Sequence, residues 1–439
     1  MFYYIFLLLI CSNILSLFTS IAVINITSVL MLLFITLYLI RYPVSLVMLK
    51  QQIIDNKFIA GSLILLPSYI FIHQLCFTHS FNMAFKALVE WRTLLYGVIF
   101  IIPFLFYPKL FSLAAKFFLL NTIIFSLIGL GYFLFTGKPF NQEIYKHAPY
   151  LSSQILVTGI FLCWQISIYQ YNKKIKYLLF ILGVLASIML FFATSRRTGY
   201  IIYIISFGVF IIINFQYIFK VKSLKYSLTA LFLILLVLGG LYLSPTMHER
   251  FKEAVQEKEM YTQGNFETSN GLRLRFWNIS SKIIQQSPIF GVGFTNYSDE
   301  FRKIEHKLDG YNIKTRFVHP HNEFIHVWSC FGIIAFLNYV FILLFPLIYY
   351  TKLNRHIINQ YNDSKNIKLN LNENSNNFND NKASHSSVMS IAHKALIIAY
   401  VSSIVGTLFN AMAIDMIEGH FFSLILAGYY SFYINTKNK

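Results

Sequence analysis

Arg196 and Arg197 stand side by side in FFATSRRTGYI, residues 191–201, between two long apolar runs. An unpaired arginine at a bilayer centre costs roughly 2.5–3.5 kcal/mol on insertion scales. The pair must therefore either snorkel to headgroups or meet an anion. Paired guanidiniums hold phosphate oxygens through fork-shaped, bidentate hydrogen bonds. A second cluster lies in SNGLRLRFWNISS, residues 269–281. Arg273 and Trp277 fall there at i and i+4 and share a helix face, whereas Arg275 points elsewhere. Alone, this cluster reads equally as an interfacial amphipathic helix, with arginine in headgroups and tryptophan in the aromatic belt. A third cluster, VHPHNEFIHVWSCFGIIAF, covers residues 318–336 and sets His321 beside Asn322 and Glu323 where an apolar run begins. His319 and His321 form a His-x-His pair. Two such ligands, without cysteine or carboxylate partners at useful spacing, are a weak metal signal, and no metal site is expected. A histidine at a membrane boundary is a natural general base.

The elements that must position these residues are membrane spans. The chain has 439 residues, is 56% hydrophobic with a mean hydropathy of +0.58, and carries only 12% charged residues. A soluble domain has about 25% charged residues, so an all-α polytopic membrane protein is expected. The formal net charge of +18 would suggest nucleic acid on a soluble protein. Here Lys and Arg collect in loops and set topology, and no nucleic acid partner is expected. Cys11, Cys76, Cys163 and Cys330 show no paired spacing, which argues against a disulfide framework. About twelve spans are predicted, near 2–19, 21–40, 58–78, 92–107, 112–135, 151–169, 177–195, 199–219, 226–243, 324–350, 394–413 and 419–434. The first is read as a retained span rather than a signal peptide, because MFYYIFLLLI lacks a basic n-region and a cleavage site.

Arg41, Lys50 and Lys57, then Lys109, then Lys173, Lys174 and Lys176, then Lys220, Lys222 and Lys225, then Lys352 and Arg355, and last Lys437 and Lys439 all fall in one phase of the alternating loops. The positive-inside rule assigns that phase to the cytoplasm, with both termini. Three regions follow: a nine-span part over 1–243, a large outer-face loop of short helices over 244–323, and a three-span part over 324–439. The last holds an Asn-rich cytoplasmic insert near 359–387, too polar to bury a core of its own and expected to be a spacer. Asp415 and Glu418 fall in the outer turn before the last span. Arg196, Arg197, Arg273, Arg275 and His321 all fall on the outer face. Arginines there can hold a pyrophosphate while a histidine takes a proton from a hydroxyl. Glycosyl transfer from a lipid pyrophosphate to an alcohol uses both. No Asp-rich metal site is visible on that face, so arginine is read as supplying the charge stabilisation that Mg²⁺ supplies elsewhere.

These residues resemble the O-antigen ligase, polymerase and protein O-oligosaccharyltransferase superfamily, in detail over roughly residues 180–350. His321-Asn322, nine residues and Gly332 resemble the ligase signature, although Ala335 stands where the family pattern has Gly, Thr or Tyr. Arg197-Thr-Gly-Tyr-Ile201 resembles the family's Arg-x-x-x-Leu element, with Ile for Leu, and favours Arg197 over Arg196 as the family arginine. Arg273 to Trp277, followed by Pro288-Ile-Phe-Gly291-Val-Gly293-Phe294, resembles Arg-x-x-x-Trp and Pro-x-x-Gly-x-Gly-Phe. The resemblance implies a metal-independent, inverting glycosyltransferase of the bacterial inner membrane, without a cofactor. Its donor would be an undecaprenyl-pyrophosphate-linked glycan and its acceptor a sugar hydroxyl of lipid A–core. Arg197 and Arg273 would bind the pyrophosphate, helped by Arg196 and Arg275. His321 would be the base, supported by Asn322, Glu323, Trp277 and Gly332.

Other readings predict different things. A polysaccharide polymerase of the same superfamily would share donor and chemistry, but two long Arg-rich outer loops would favour it; here the second longest, around 136–150, carries only Lys138 and Lys146. A protein-serine glycan transferase would carry an additional C-terminal region. A lipid-glycan flippase would place its charges at the midplane, on repeated broken helices, and would be indifferent to loss of a base at His321.

Overall fold

The structure, a computed structural model, describes residues 1–19, 21–138, 140, 153–170, 172–194, 197–219, 239, 242, 245–309, 319–370, 394–408 and 416–437. Every regular element among them is helical, as backbone satisfaction in lipid requires. In chain order they are α1 Phe2–Ser16, α2 Ile21–Arg41, α3 Pro43–Asp55, α4 Lys57–Thr78, α5 Phe81–Glu90, α6 Arg92–Phe106, α7 Pro108–Thr136, α8 Ser153–Tyr169, α9 Lys173–Ile188 and α10 Arg197–Phe219. Then come α11 Pro245–Thr262, α12 Ser269–Gln286, α13 Tyr297–Asp309, α14 Glu323–Asn370, α15 Lys394–Thr407 and α16 Met416–Lys437.

Among the described residues six stretches are long and apolar enough to cross a bilayer: Ala22–Arg41, Ala60–Thr78, Pro108–Thr136, Lys173–Ala193, Thr198–Phe215 and Glu323–Leu347. The chain is a multi-pass membrane protein. A seventh crossing arises if α5 and α6, bent by 57°, form one broken span. Phe2–Ser16, Gln154–Ile168, Lys394–Thr407 and Phe421–Ser431 are shorter apolar helices. Every expected span except 226–243, of which only residues 239 and 242 are described, overlaps one of these helices. Two helices were not anticipated. Pro at its first position starts α3. Ser80 caps α5 by accepting from the Met83 N–H. Both are short helices between spans, which hydropathy windows pass over. The front of the Asn-rich insert also differs from expectation, since α14 continues to Asn370. A helix already nucleated by a span propagates through residues that could not nucleate one.

The bundle is held by aromatic packing and a few buried polar pairs. Phe161 and Trp164 of α8 meet Tyr203 and Phe210 of α10. Asn214 donates to Gln165 at 2.9 Å, and Ser206 meets Ser402 at 2.8 Å. Such pairs link helices where lipid offers no hydrophobic drive. Pro346 lies inside α14. Proline has no N–H to give the carbonyl four residues earlier. That carbonyl, Ile342 O, instead accepts from the buried Tyr400 hydroxyl at 2.6 Å. Tyr400→Phe is therefore expected to lower stability by about 1–2 kcal/mol, the worth of leaving a buried carbonyl unpaired. Thermal unfolding in detergent micelles reads this; an unchanged midpoint would contradict it.

Candidate active site

The expected outer loop contains α11, α12 and α13. Thr268 starts α12, its hydroxyl accepting from the Gly271 N–H at 3.1 Å. The helical register of α12 then places Arg273 and Trp277 on one face. The Trp277 indole N–H donates to the Pro320 carbonyl at 2.7 Å. This bond lays the His-Pro-His-Asn turn along the face that also carries Arg273. Phe276 stacks on the His321 ring at 6.3 Å between centroids. Arg273 is half-buried and lies near enough to His321 to act on its charge.

His321 has φ +49°, the left-handed region. Histidine is among the non-glycine residues enriched there, but the conformation still costs on the order of 1–3 kcal/mol and is typical of functional sites. It is held from both sides. The His321 N–H donates to Nδ1 of His319 at 2.9 Å. Asn322 caps α14, its side-chain oxygen accepting from the Ile325 N–H at 3.1 Å. The Asn of the His-Asn pair is thus a helix cap, and His321 is thrown off the helix N-terminus with its side chain accessible. Crowding by neighbouring atoms, and then the Arg273 guanidinium, hold the His321 imidazole below its ordinary pKa. A neutral imidazole at neutral pH is the form that can accept a proton. His319 is also lowered, by burial first and then by His326 and His321.

The remaining residues fall at different depths. Glu323 is fully buried in the first turn of α14. Arg275 is 4% exposed, with its guanidinium 4.7 Å above the Phe266 ring. Arg273 and Arg275 therefore do not converge on the accessible side of α12. Below Ile188, α9 ends in a π-turn, Met189–Ala193, followed by extended Thr194; π-turns often mark functional sites. The Tyr200 hydroxyl donates to the Thr194 carbonyl at 3.0 Å, and the Phe140 N–H to the Ala193 carbonyl at 3.0 Å. Arg197 opens α10 just beyond. Arg196 and the Arg197 side chain lie outside the described residues, as do Asp415 and the Glu418 side chain. Helix α11 packs against the π-turn and against α12, so it joins the Arg197 junction to the helix bearing Arg273.

The glycines of the two resembling motifs meet each other. Gly332 has φ +76° and ψ −173°, breaking α14 in its third turn. The break frees backbone groups that the Pro288–Phe294 loop satisfies. Val292 N–H donates to Ser329 O at 3.0 Å, Gly293 N–H to Cys330 O at 2.8 Å, and Ile333 N–H to Pro288 O at 3.1 Å. The Tyr69 hydroxyl takes Phe331 O at 3.1 Å, and Trp328 donates to Pro288 O at 3.0 Å. A Cβ on Gly332 would sit 1.9 Å from Ile289 O, and one on Gly291 2.6 Å from the Cys330 carbonyl.

Sequence reasoning missed several supports. Gln74 of α4 accepts from the Phe294 N–H at 2.9 Å and donates to Thr295, and His73 contacts Phe290 O. Tyr297 meets Ser280 at 2.6 Å beneath α12. His326 is buried against Trp91, Phe294, Tyr297 and His319. Only His326 had a local signal, a polar residue inside an apolar helix.

Residues 181–340, which enclose all three clusters, match the family described as O-antigen ligase. An uncharacterized protein of Haemophilus influenzae, strain Rd, is 27% identical over 239 residues, 53% of this chain and 57% of that protein. The match thus spans somewhat more than half of the relative's length. The family match over residues 181–340 encloses the Arg197 junction, the Arg273–Trp277 face and the His321 turn, and over those residues the chain is similar to the O-antigen ligase family.

Proposed function

We propose that the protein is an O-antigen ligase. It joins a glycan carried on undecaprenyl pyrophosphate to a sugar hydroxyl of lipid A–core, at the periplasmic face of the bacterial inner membrane, with both termini cytoplasmic. The similarity of residues 181–340 to the O-antigen ligase family supports glycosyl transfer between lipid-linked glycans in general terms. The observation that carries the finer reading is the juxtaposition of accessible His321 with Arg273. In this reading His321 removes the acceptor hydroxyl proton as that oxygen attacks the anomeric carbon. The new C–O bond forms on one face of the sugar while the bond to pyrophosphate breaks on the other, with inversion. Arg273 and Arg197 neutralise the departing pyrophosphate, and the N-terminus of α14 adds its partial positive charge. Arg196 is assigned as their helper. The buried place of Arg275 supports a role in holding α12 to the loop.

Purified full-length protein, a synthetic undecaprenyl-pyrophosphate oligosaccharide and lipid A–core, mixed without added metal, provide the test. Glycan joined to lipid A–core supports the ligase. Longer lipid-linked chains without that product would make the chain a polymerase of the same superfamily.

A pH profile tests the Arg273–His321 contact. The Arg273 charge disfavours the protonated ring, so removing it raises the His321 pKa. The acid limb of kcat/KM, which lies below the ordinary imidazole range in the wild type, should move to higher pH in Arg273→Gln and stay in place in Arg273→Lys. An unmoved limb in the Gln variant would contradict the contact.

A further inference from the structure

We propose that His319 is the positioning residue for His321, acting through its Nδ1, and that His326 fixes the tautomer in which it does so. The inference rests on the reading of His321 as the base. A backbone N–H can only donate, so the 2.9 Å bond from His321 N requires a lone pair on His319 Nδ1. A neutral His319 then carries its proton on Nε2. That atom lies 3.2 Å from Nδ1 of His326, which must accept. The directions along the chain of bonds are thereby determined: His321 N–H to His319, and His319 N–H to His326. Both rings are buried, at 3% and 2% exposure. Trp91, Phe294 and Tyr297 surround the His326 ring at centroid distances of 6.1, 6.0 and 5.3 Å. Burial also keeps His319 uncharged, in the form the arrangement needs.

The bond from His321 N fixes the peptide plane between Pro320 and His321. That plane sets the left-handed turn, which in turn sets the ring beside Phe276 and Arg273. His319 reaches neither the acceptor hydroxyl nor the pyrophosphate in this scheme. Its effect is on where the base stands, and misplacement of a catalytic group by about 1 Å can cost roughly 10²-fold in rate. The pairing also accounts for three histidines within eight residues without a shared ligand.

Two substitutions separate the two nitrogens. In His319→Asn the amide oxygen stands near the Nδ1 position and can still accept from His321. In His319→Gln the amide reaches toward the Nε2 position and the His321 N–H loses its acceptor. With the purified full-length protein in nanodiscs, the synthetic oligosaccharide donor and lipid A–core, the Asn variant should keep kcat within about fivefold of wild type. The Gln variant should lose roughly 10²-fold in kcat with donor KM unchanged. Equal losses in both variants, or wild-type kcat in the Gln variant while His321→Ala is inactive, would overturn the positioning role alone. Wild-type transfer by His321→Ala would overturn the base assignment and the positioning role with it. Independently of activity, ¹⁵N spectra of histidine-labelled wild-type protein, assigned by difference against His319→Asn, should show His319 protonated on Nε2. Protonation on Nδ1 would overturn the proposal.

Discussion

His321→Ala is expected to lower glycan transfer by about 10²–10⁴-fold, the usual contribution of a general base, while the protein still inserts and folds. The reason for the separation is positional. His321 lies outside the core and its side chain is accessible. The helix that follows is capped by Asn322 rather than by the histidine. Alanine also tolerates the left-handed backbone less well than histidine does, a penalty on the order of 1 kcal/mol that does not approach the expected loss in rate. Asn322→Ala supplies the contrast. Loss of the cap should lower stability by about 1 kcal/mol, with a smaller effect on turnover. Transfer rate and thermal midpoint, measured together on both variants, distinguish a chemical role from a structural one. Substantial residual transfer in His321→Ala would sink the base assignment.

Gly332→Ala is expected to be the most damaging single-methyl addition described here. Two penalties act together. The backbone is at φ +76°, which alone costs a non-glycine residue on the order of 1–3 kcal/mol. The added carbon would also lie 1.9 Å from Ile289 O and 2.7 Å from Phe290 Cα. These are backbone atoms that no rotamer change can move aside. The Pro288–Phe294 loop and the break in α14 must separate, and the bonds from Val292, Gly293 and Ile333 go with them. A loss beyond about 4–5 kcal/mol is expected, read as failure to accumulate folded protein in the membrane. Gly208, whose Cβ would meet nothing within 4 Å, is the control: Gly208→Ala should accumulate normally. Normal folded yield of Gly332→Ala would show that the two motifs do not interlock as described.

The parts of this molecule that were legible in the sequence are those determined by neighbours along the chain. Hydropathy over about twenty residues located the long spans. The i, i+4 spacing of Arg273 and Trp277 correctly placed them on one helix face, because helical periodicity is local. The spacing from His321-Asn322 to Gly332 marked the right residues. It could not say why Gly332 is glycine, since the reason lies in Ile289 and Phe290 some forty residues away. Gln74 was invisible for the same reason: its partners Phe294 and Thr295 are more than two hundred residues distant. His326 reads in the sequence as one polar residue in an apolar run. Its bond to His319 depends on a reversal of the chain at His321 that no periodicity announces. The short helices α3 and α5 escaped because each is too short to register as a span. Burial of Arg275 depends on Phe266 folding back over it, a loop contact with no local signature.

The proposed mechanism is one displacement at one base. Its most direct test is the anomeric configuration of the new linkage, read by NMR on product made from the synthetic undecaprenyl-pyrophosphate oligosaccharide and lipid A–core, together with the undecaprenyl pyrophosphate released. Inverted configuration, with one undecaprenyl pyrophosphate freed for each glycan joined, is the predicted result. Retained configuration would require a double displacement or front-face attack in place of a single in-line displacement, and would contradict the mechanism.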